Sequence, residues 1–370
     1  MVRRRTRFPL APLEIDRTLL AAFLVTLVAG LVLIYSASSV MAEARFGSNF
    51  HFLRQQILWT IISLVVAAIL VKIDLNRFAV YSPVFLLVTM VCLALVFIMP
   101  ARNESHRWVF LGPLTFQPSE LFKFAAVVYL AFSLSNPRRD IAKLRDLLMP
   151  YAPLIGAGLL LTLLEPDLGR TMVMFVIVVA MLFLAGARMK HLATAFLPLA
   201  GIATFVVFVL GYKKARVLDY LTAIQDPLTG SYQSSQAALT IGSGGLFGLG
   251  LGEGTQKLFF LPYPHTDFIF AATGQEFGFV GSFILLLLLL TIIYRGLKIA
   301  TAQPDKFGYL LASGMTLSIF VNVAINIGVV TSLIPVTGSP LPFISYGGSS
   351  LIVNCAAVGV LLNLSRRLTR

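Results

Sequence analysis

Leu19-Leu20-Ala21-Ala22-Phe23-Leu24-Val25-Thr26-Leu27-Val28-Ala29-Gly30-Leu31-Val32-Leu33-Ile34-Tyr35-Ser36 carries no charge along its whole length. A helix needs about 20 mostly apolar residues to cross the hydrocarbon layer of a bilayer, and this run supplies them. Arg3-Arg4-Arg5-Thr6-Arg7 precedes it, and the small-residue triplet Ala42-Glu43-Ala44 follows it. That order resembles a secretory leader with a cleavage site, but the apolar run is too long for one. We read it as an uncleaved first span.

Working outward, runs of about 17–25 apolar residues recur along the chain. Spans are expected near 18–39, 53–72, 79–99, 117–134, 147–164, 169–186, 191–211, 268–294, 307–333 and 343–364. Ten crossings put both termini on one side. Most connections are short. The exception, about 212–267, holds Gly242-Ser243-Gly244-Gly245, further glycines to Gly254, and the prolines Pro227, Pro262 and Pro264. Long structured loops tend to carry function. The expected fold is all-α: a polytopic membrane protein of about ten transmembrane helices. Residues 1–370 form one integral membrane domain with a long extracytoplasmic loop at 212–267.

Composition agrees. The chain has 370 residues, 58% of them hydrophobic and only 12% charged, with a mean hydropathy of +0.87. These values exclude a disordered chain, a secreted disulfide scaffold and a typical cytosolic enzyme. Cys92 and Cys355 both lie in apolar runs, so neither a disulfide framework nor a cysteine zinc site is expected. The net charge of +13 alone suggests nucleic acid or an anionic membrane surface. Its placement decides. With a cytoplasmic N-terminus, nineteen of the 29 Lys and Arg residues and six of the 16 Asp and Glu residues fall in inner segments. That surplus equals the whole net charge, so the charge is a topology signal and no nucleic-acid partner is expected.

The glycine-rich stretch fits neither G-x-G-x-x-G nor a P-loop, which leaves a flexible or closely packed loop. No H-E-x-x-H occurs, and His51, His106, His191 and His265 are scattered. Ionisable groups near or within the membrane are more informative, because they are expensive there. Glu120 and Lys123 follow Pro118, a helix-start signal, and share a face at i, i+3. They read either as a self-neutralising pair or as an anion-facing lysine tuned by its glutamate. Arg107, beside Trp108, suits aromatic stacking or a bidentate grip on phosphate. Glu165-Pro166-Asp167 precedes the sixth span, where Asp167 suits a helix cap or, with Glu165, a cation. Asp267 again sits where a cap would. A partly desolvated carboxylate at that boundary is also suited to act as a base. Arg107, Lys123, Arg216 and Lys257 are cations that could hold a phosphate-bearing ligand.

Several segments together resemble the SEDS family of bacterial cell-envelope proteins. They are Phe116-Gln117-Pro118-Ser119-Glu120 with Lys123, Glu165-Pro166-Asp167-Leu168-Gly169, and Ile241-Gly242-Ser243-Gly244-Gly245. Leu261-Pro262 with His265-Thr266-Asp267-Phe268-Ile269-Phe270-Ala271, and Pro340-Leu341-Pro342-Phe343-Ile344-Ser345-Tyr346-Gly347-Gly348-Ser349, complete the set. They come in the family's order and cover nearly the whole chain. Tyr35-Ser36-Ala37-Ser38-Ser39, Gln256-Lys257-Leu258-Phe259 and Asn363-Leu364-Ser365-Arg366-Arg367 look more like the FtsW branch than the RodA branch. Tyr263-Pro264 stands where the family often has a Glu-Ala or Glu-Arg pair before its histidine.

The resemblance implies a peptidoglycan glycosyltransferase of the bacterial cytoplasmic membrane, with both termini cytoplasmic and the active face extracytoplasmic. Such a protein polymerises lipid II into β-1,4 glycan with inversion and release of undecaprenyl pyrophosphate. It implies Asp267 as the catalytic base, with Arg107, Glu120, Lys123, Arg216, Lys257, His265, Thr266 and Ser345 binding the substrate or its pyrophosphate. No cofactor is certain. A divalent cation, Mg²⁺ or Mn²⁺, on the pyrophosphate fits the chemistry, without readable protein ligands. The implied partners are a class B penicillin-binding protein and other divisome or elongasome membrane proteins. The competing readings are a lipid II flippase, which needs polar groups through the full membrane depth, and a scaffold that recruits a synthase.

Overall fold

The computed structural model describes residues 15–99, 107–111, 114–137, 143–165, 167–204, 232–254 and 264–367, with a few isolated positions between them. Its helices are α1 (Arg17–Phe46), α2 (His51–Lys72), α3 (Leu75–Val80), α4 (Ser82–Leu95), α5 (Pro118–Leu134) and α6 (Leu144–Leu164). They continue with α7 (Leu168–Leu184), α8 (Met189–Thr204), α9 (Tyr232–Ser243), α10 (Ile269–Thr301), α11 (Lys306–Val330) and α12 (Gly348–Arg367). One short hairpin, β1 (Val109–Leu111) with β2 (Leu114–Phe116), runs antiparallel with Val109 opposite Phe116. It lies where a plain connection is expected and feeds the chain into α5.

The helix starts are chemically marked. Asp16 accepts the Leu19 N–H at 2.9 Å, Asp74 the Asn76 N–H at 3.0 Å and Asp305 the Gly308 N–H at 2.9 Å. Each carboxylate satisfies an orphan donor of the first turn. Gly47 ends α1 in the left-handed region, at φ 66°. Among the described residues, α1, α2, α10, α11 and α12 are long and apolar enough to cross a membrane. Ser82–Ile98, Pro153–Leu164 and Leu168–Leu184 are shorter apolar helices.

Two expected spans differ in form. The stretch 79–99 is two helices, because the chain turns at Tyr81 and restarts with Pro83 in the first turn of α4. The last span begins at Gly348, since 342–346 form turns and bends, with Phe343 at φ 68°.

Nearly every described side chain of α5 is buried, so α5 lies at the centre of the bundle. Helices α4, α7 and α11 pack on it, α10 lies along α11 and α1, and α12 packs most extensively on α2. The outward faces are apolar rather than polar: Val65, Ile69, Val84, Val91, Phe283 and Leu287 are all exposed. Such faces are a liability in water and ordinary against lipid. Lipid supplies little hydrophobic drive between helices, so small residues that let backbones approach become important.

Gly359 of α12 is one of these. A Cβ there would stand 2.7 Å from the Ala67 carbonyl oxygen and 2.9 Å from its Cα. A methyl group at Gly156 of α6 would meet nothing within 4 Å. Gly359→Ala is therefore expected to lose roughly 1–3 kcal/mol, the usual cost of overpacking. Gly156→Ala should hold or gain stability. Thermal unfolding of both variants in detergent checks this, and equal melting would show that α2 and α12 can part without penalty.

Candidate functional site

The site is built where α5, α6, α7 and α10 turn over at one end of the bundle. The β-hairpin delivers Gln117, whose N–H donates to Ser349 Oγ at 2.9 Å, tying the start of α5 to the start of α12. Glu120 then lies in the first turn of α5, where the helix dipole favours an anion. Lys123 Nζ donates to Glu120 Oε2 at 2.7 Å, and both side chains are only 4% exposed. The i, i+3 spacing thus gives a buried ion pair. Such a pair holds only when further partners satisfy it. Arg170 of α7 provides one, with its guanidinium 3.3 Å from Glu120 Oε1 and 3.4 Å from Ser119 Oγ.

Asp167 is the second hub. It caps α7 by accepting the Arg170 N–H at 3.2 Å, as a helix-start aspartate should. Its Oδ2 is also 3.4 Å from Arg170 and 3.5 Å from Arg107. Arg107 in turn donates from Nε to the Glu165 carbonyl at 3.2 Å. Three cations, Arg107, Lys123 and Arg170, therefore share two carboxylates, Glu120 and Asp167. A small crevice opens beside them, walled by Ser119, Glu120, Lys123, Arg170, Asn322 and Ser339.

Asp267 stands across the segment Thr337–Pro340. Helix α10 starts at Ile269 with Phe268 as its cap residue and no side-chain cap bond. Asp267 thus stands one residue before the cap position, which corrects its expected place at the helix start. A Cβ on Gly338 would stand 3.6 Å from Asp267 Oδ2, and the next residue, Ser339, lines the cationic pocket. Two side chains hold the aspartate's own backbone. Asn326 of α11 donates to the Asp267 carbonyl at 2.9 Å and the Ser339 carbonyl at 2.7 Å. Ser345 donates to the Thr266 carbonyl at 2.6 Å and accepts the Leu341 N–H at 2.8 Å.

The expected residues therefore fall into groups. Arg107, Glu120 and Lys123 share one network. Thr266, Asp267 and Ser345 share a second, and Thr337–Pro340 separates the two. Ser345 works as a staple between loops. His265 is packed between Phe52 and Tyr346, with ring centroids 4.5 and 5.6 Å away. Burial and the positive charge of Arg45 push its pKa down to about 4, so it is neutral at pH 7 and brings no charge to an anion. Arg216 and Lys257 lie outside the described residues. Among the described residues, no three His, Cys, Asp or Glu side chains gather as they would to hold a metal ion.

Sequence reasoning missed Arg170, Asn326 and the full role of Asp167. Arg170 was visible three residues after Asp167. Asn322 and Asn326 stood out as two amides one turn apart in an apolar span.

Glu165, at the end of α6, is fully buried with neither carboxylate oxygen hydrogen-bonded. Burial, and then the neighbouring Asp167, raise its pKa to about 8, against the opposing pull of Arg170 and Arg107. It is neutral at pH 7, which leaves the three cations in surplus by one. A carboxyl raised on folding favours the folded state below its ordinary pKa and loses that preference as pH rises towards 8. Glu165→Gln should therefore melt like the wild type near pH 5 and above it near pH 9, by roughly 1–3 kcal/mol. Melting curves across this range check it; parallel curves would mean the carboxyl finds water or a partner.

The chain matches the protein family described as cell cycle protein, FtsW, RodA and SpoVE, over residues 16–370. It is 40% identical over 356 residues to stage V sporulation protein E of Bacillus subtilis, covering 95% of this chain and 97% of that one. It is also 40% identical over 342 residues to a probable peptidoglycan glycosyltransferase FtsW of Geobacter sulfurreducens, covering 92% of each. Division and sporulation relatives thus stand level. Among solved structures, it superposes on rod shape determining protein RodA of Thermus thermophilus with a TM-score of 0.71 at 29% identity, covering 96% of this chain and 98% of that one. A chain from a peptidoglycan synthase complex that coordinates polymerization and crosslinking gives a TM-score of 0.79 at 29% identity, covering 97% of this chain and 100% of that one. The polar network at one end of an apolar bundle and these likenesses over nearly the full length agree, and the chain belongs to the FtsW, RodA and SpoVE family.

Proposed function

We propose that this protein is a peptidoglycan glycosyltransferase that polymerises lipid II at the outer face of the bacterial cytoplasmic membrane. The observation that carries the reading is the surplus of cations, Lys123 buried and Arg107 and Arg170 half-buried, on the far side of Thr337–Pro340 from Asp267. Relatives named as probable peptidoglycan glycosyltransferases support it. In this reading the chain crosses the membrane ten times. Asp16 pairs with Arg295 at the cytoplasmic end, and the site lies at the opposite end.

The chemistry is a single displacement. An acceptor sugar hydroxyl attacks the anomeric carbon of the donor. Asp267 takes the hydroxyl proton, and the carbon–oxygen bond to the diphosphate breaks with its electron pair on the leaving group. Arg107, Lys123 and Arg170 stabilise the negative charge that develops there. A diphosphate needs no acid to leave, so one carboxylate base suffices where an inverting glycosidase uses two. Inversion converts the α-linked donor into a β-1,4 product. A divalent cation, Mg²⁺ or Mn²⁺, would supply further positive charge to the diphosphate, and the described residues gather no protein ligand set for it. The likeness to a synthase complex supports a class B penicillin-binding protein as the crosslinking partner.

Polymerisation of labelled lipid II by the purified, reconstituted chain, alone and with a cognate penicillin-binding protein, tests this. Asp267→Asn should fold, bind lipid II and lose at least about 100-fold in rate, the low end for removing a general base. Normal polymer from that variant would sink the assignment, and lipid II crossing vesicles without polymer would favour the flippase. Arg107→Ala, which leaves the base intact, should lower kcat and kcat/KM together by roughly tenfold or more with little change in KM, as expected for losing a charge that stabilises the departing diphosphate.

A further inference from the structure

Helix α10 is broken. Gly278 lies inside it at φ 66° and ψ −164°, far from helical values. A break in a spanning helix strands donors and acceptors where no water can reach them, so other backbone must satisfy them. The glycine-rich stretch after α9 does this. Phe279 N–H donates to the Gly245 carbonyl at 2.9 Å and Val280 N–H to the Leu246 carbonyl at 3.1 Å. In the other direction, Leu249 N–H donates to the Gln275 carbonyl at 2.9 Å and Gly250 N–H to the Glu276 carbonyl at 3.0 Å. Loop and helix break splice into each other. The fit is backbone against backbone: a Cβ on Gly244 would stand 1.9 Å from the Gly274 carbonyl oxygen, and one on Gly248 2.2 Å from that of Glu276.

The side chains of this loop point away from the splice. Leu246 is 64% exposed, Phe247 80%, Leu249 47% and Leu251 54%. No charged residue occurs from Tyr232 to Gly252. The patch continues onto the outward strip of α10, where Phe279 stacks on Phe283 at 5.9 Å and both rings are exposed. Depth follows from helix arithmetic. Arg295 pairs with Asp16 at the far end of α10. A hydrocarbon layer about 30 Å thick spans about 20 residues of helix, and twenty residues back from Arg295 is Gln275. The splice at 275–280 therefore lies at the upper edge of the hydrocarbon layer, and the residues bonded to Phe279 and Val280 lie just inside it.

We propose that residues 243–251 form a re-entrant segment whose tip, Leu246 and Phe247 with Leu249, is immersed in the acyl chains of the leaflet on the Asp267 side. The occupant of this face is bilayer lipid, because the patch is continuous with the lipid-facing strip of a spanning helix. The inference does not depend on the reaction catalysed.

The test uses the full chain in phosphatidylethanolamine and phosphatidylglycerol vesicles, with Cys92 and Cys355 replaced by alanine. A nitroxide is placed singly through Phe247→Cys, Leu249→Cys or Glu253→Cys. Power saturation compares collision with oxygen, which concentrates in hydrocarbon, and with a water-soluble nickel chelate. The expected result is oxygen-dominated relaxation at 247 and 249 and nickel-dominated relaxation at the exposed Glu253 position. Equal nickel access at 247 and 253 would place the tip in water. Shielding from both reagents would mean that protein, such as a second copy of the chain, covers the tip. Either overturns the proposal. Phe247→Ser separates immersion from packing: it should melt like the wild type in detergent, whereas a large drop would mean that the ring belongs to the protein interior.

Discussion

A lysine and a glutamate buried together near the start of α5 set the terms for everything around them. Ions in a low-dielectric interior are tolerated only when each is paired and its remaining hydrogen-bonding capacity is met. Lys123 and Glu120 meet that condition only because Arg170 arrives from α7 to take the second carboxylate oxygen. Arg170 is held there by Asp167, and Asp167 also receives Arg107. Helices α5 and α7 are therefore locked in register at one end by charge and along their length by apolar packing. The same lock leaves a positive surplus, which suits the diphosphate of the proposed reaction.

Backbone obeys a similar rule. Irregular chain in a membrane bundle is stable only where its donors and acceptors are answered by protein. Asn326 answers two carbonyls at once, and Ser345 answers a carbonyl and an amide. The opposite end shows the same economy. Asn363 donates to the Leu70 and Ile73 carbonyls, and Arg366 donates to that of Val71, so α12 caps the exit of α2. Asn326, Ser345, Asn363 and Arg366 thus serve as partners for backbone outside or leaving a helix.

Five helices long and apolar enough to cross a membrane were legible from hydropathy, because length and polarity are local properties. The Glu120–Lys123 pair was legible because i, i+3 neighbours meet on any helix. Asp167 as a cap followed from its place before an apolar run, whereas the same logic failed at Asp267. There the helix starts one residue later, and the backbone is held by Asn326 and Ser345, which are distant in sequence. The bond from Arg170 to Glu120 crosses fifty residues and depends on how two helices meet, which no periodicity encodes. The glycine-rich stretch was legible as unusual and as unsuited to nucleotides. Its purpose was not, because the break at Gly278 that it repairs is written in a different helix.

Thr337–Pro340 is a single short wall with a working group on each side. Thr337 is in contact with Gly169, at the start of the helix carrying Arg170, while Gly338 faces Asp267 and Ser339 lines the cationic pocket. In the proposed reaction, a displacement of that wall would alter the leaving-group side and the attacking side together. The two halves of the site are thus geared and cannot be adjusted separately. A small molecule wedged at Ser339 would spoil both with one contact.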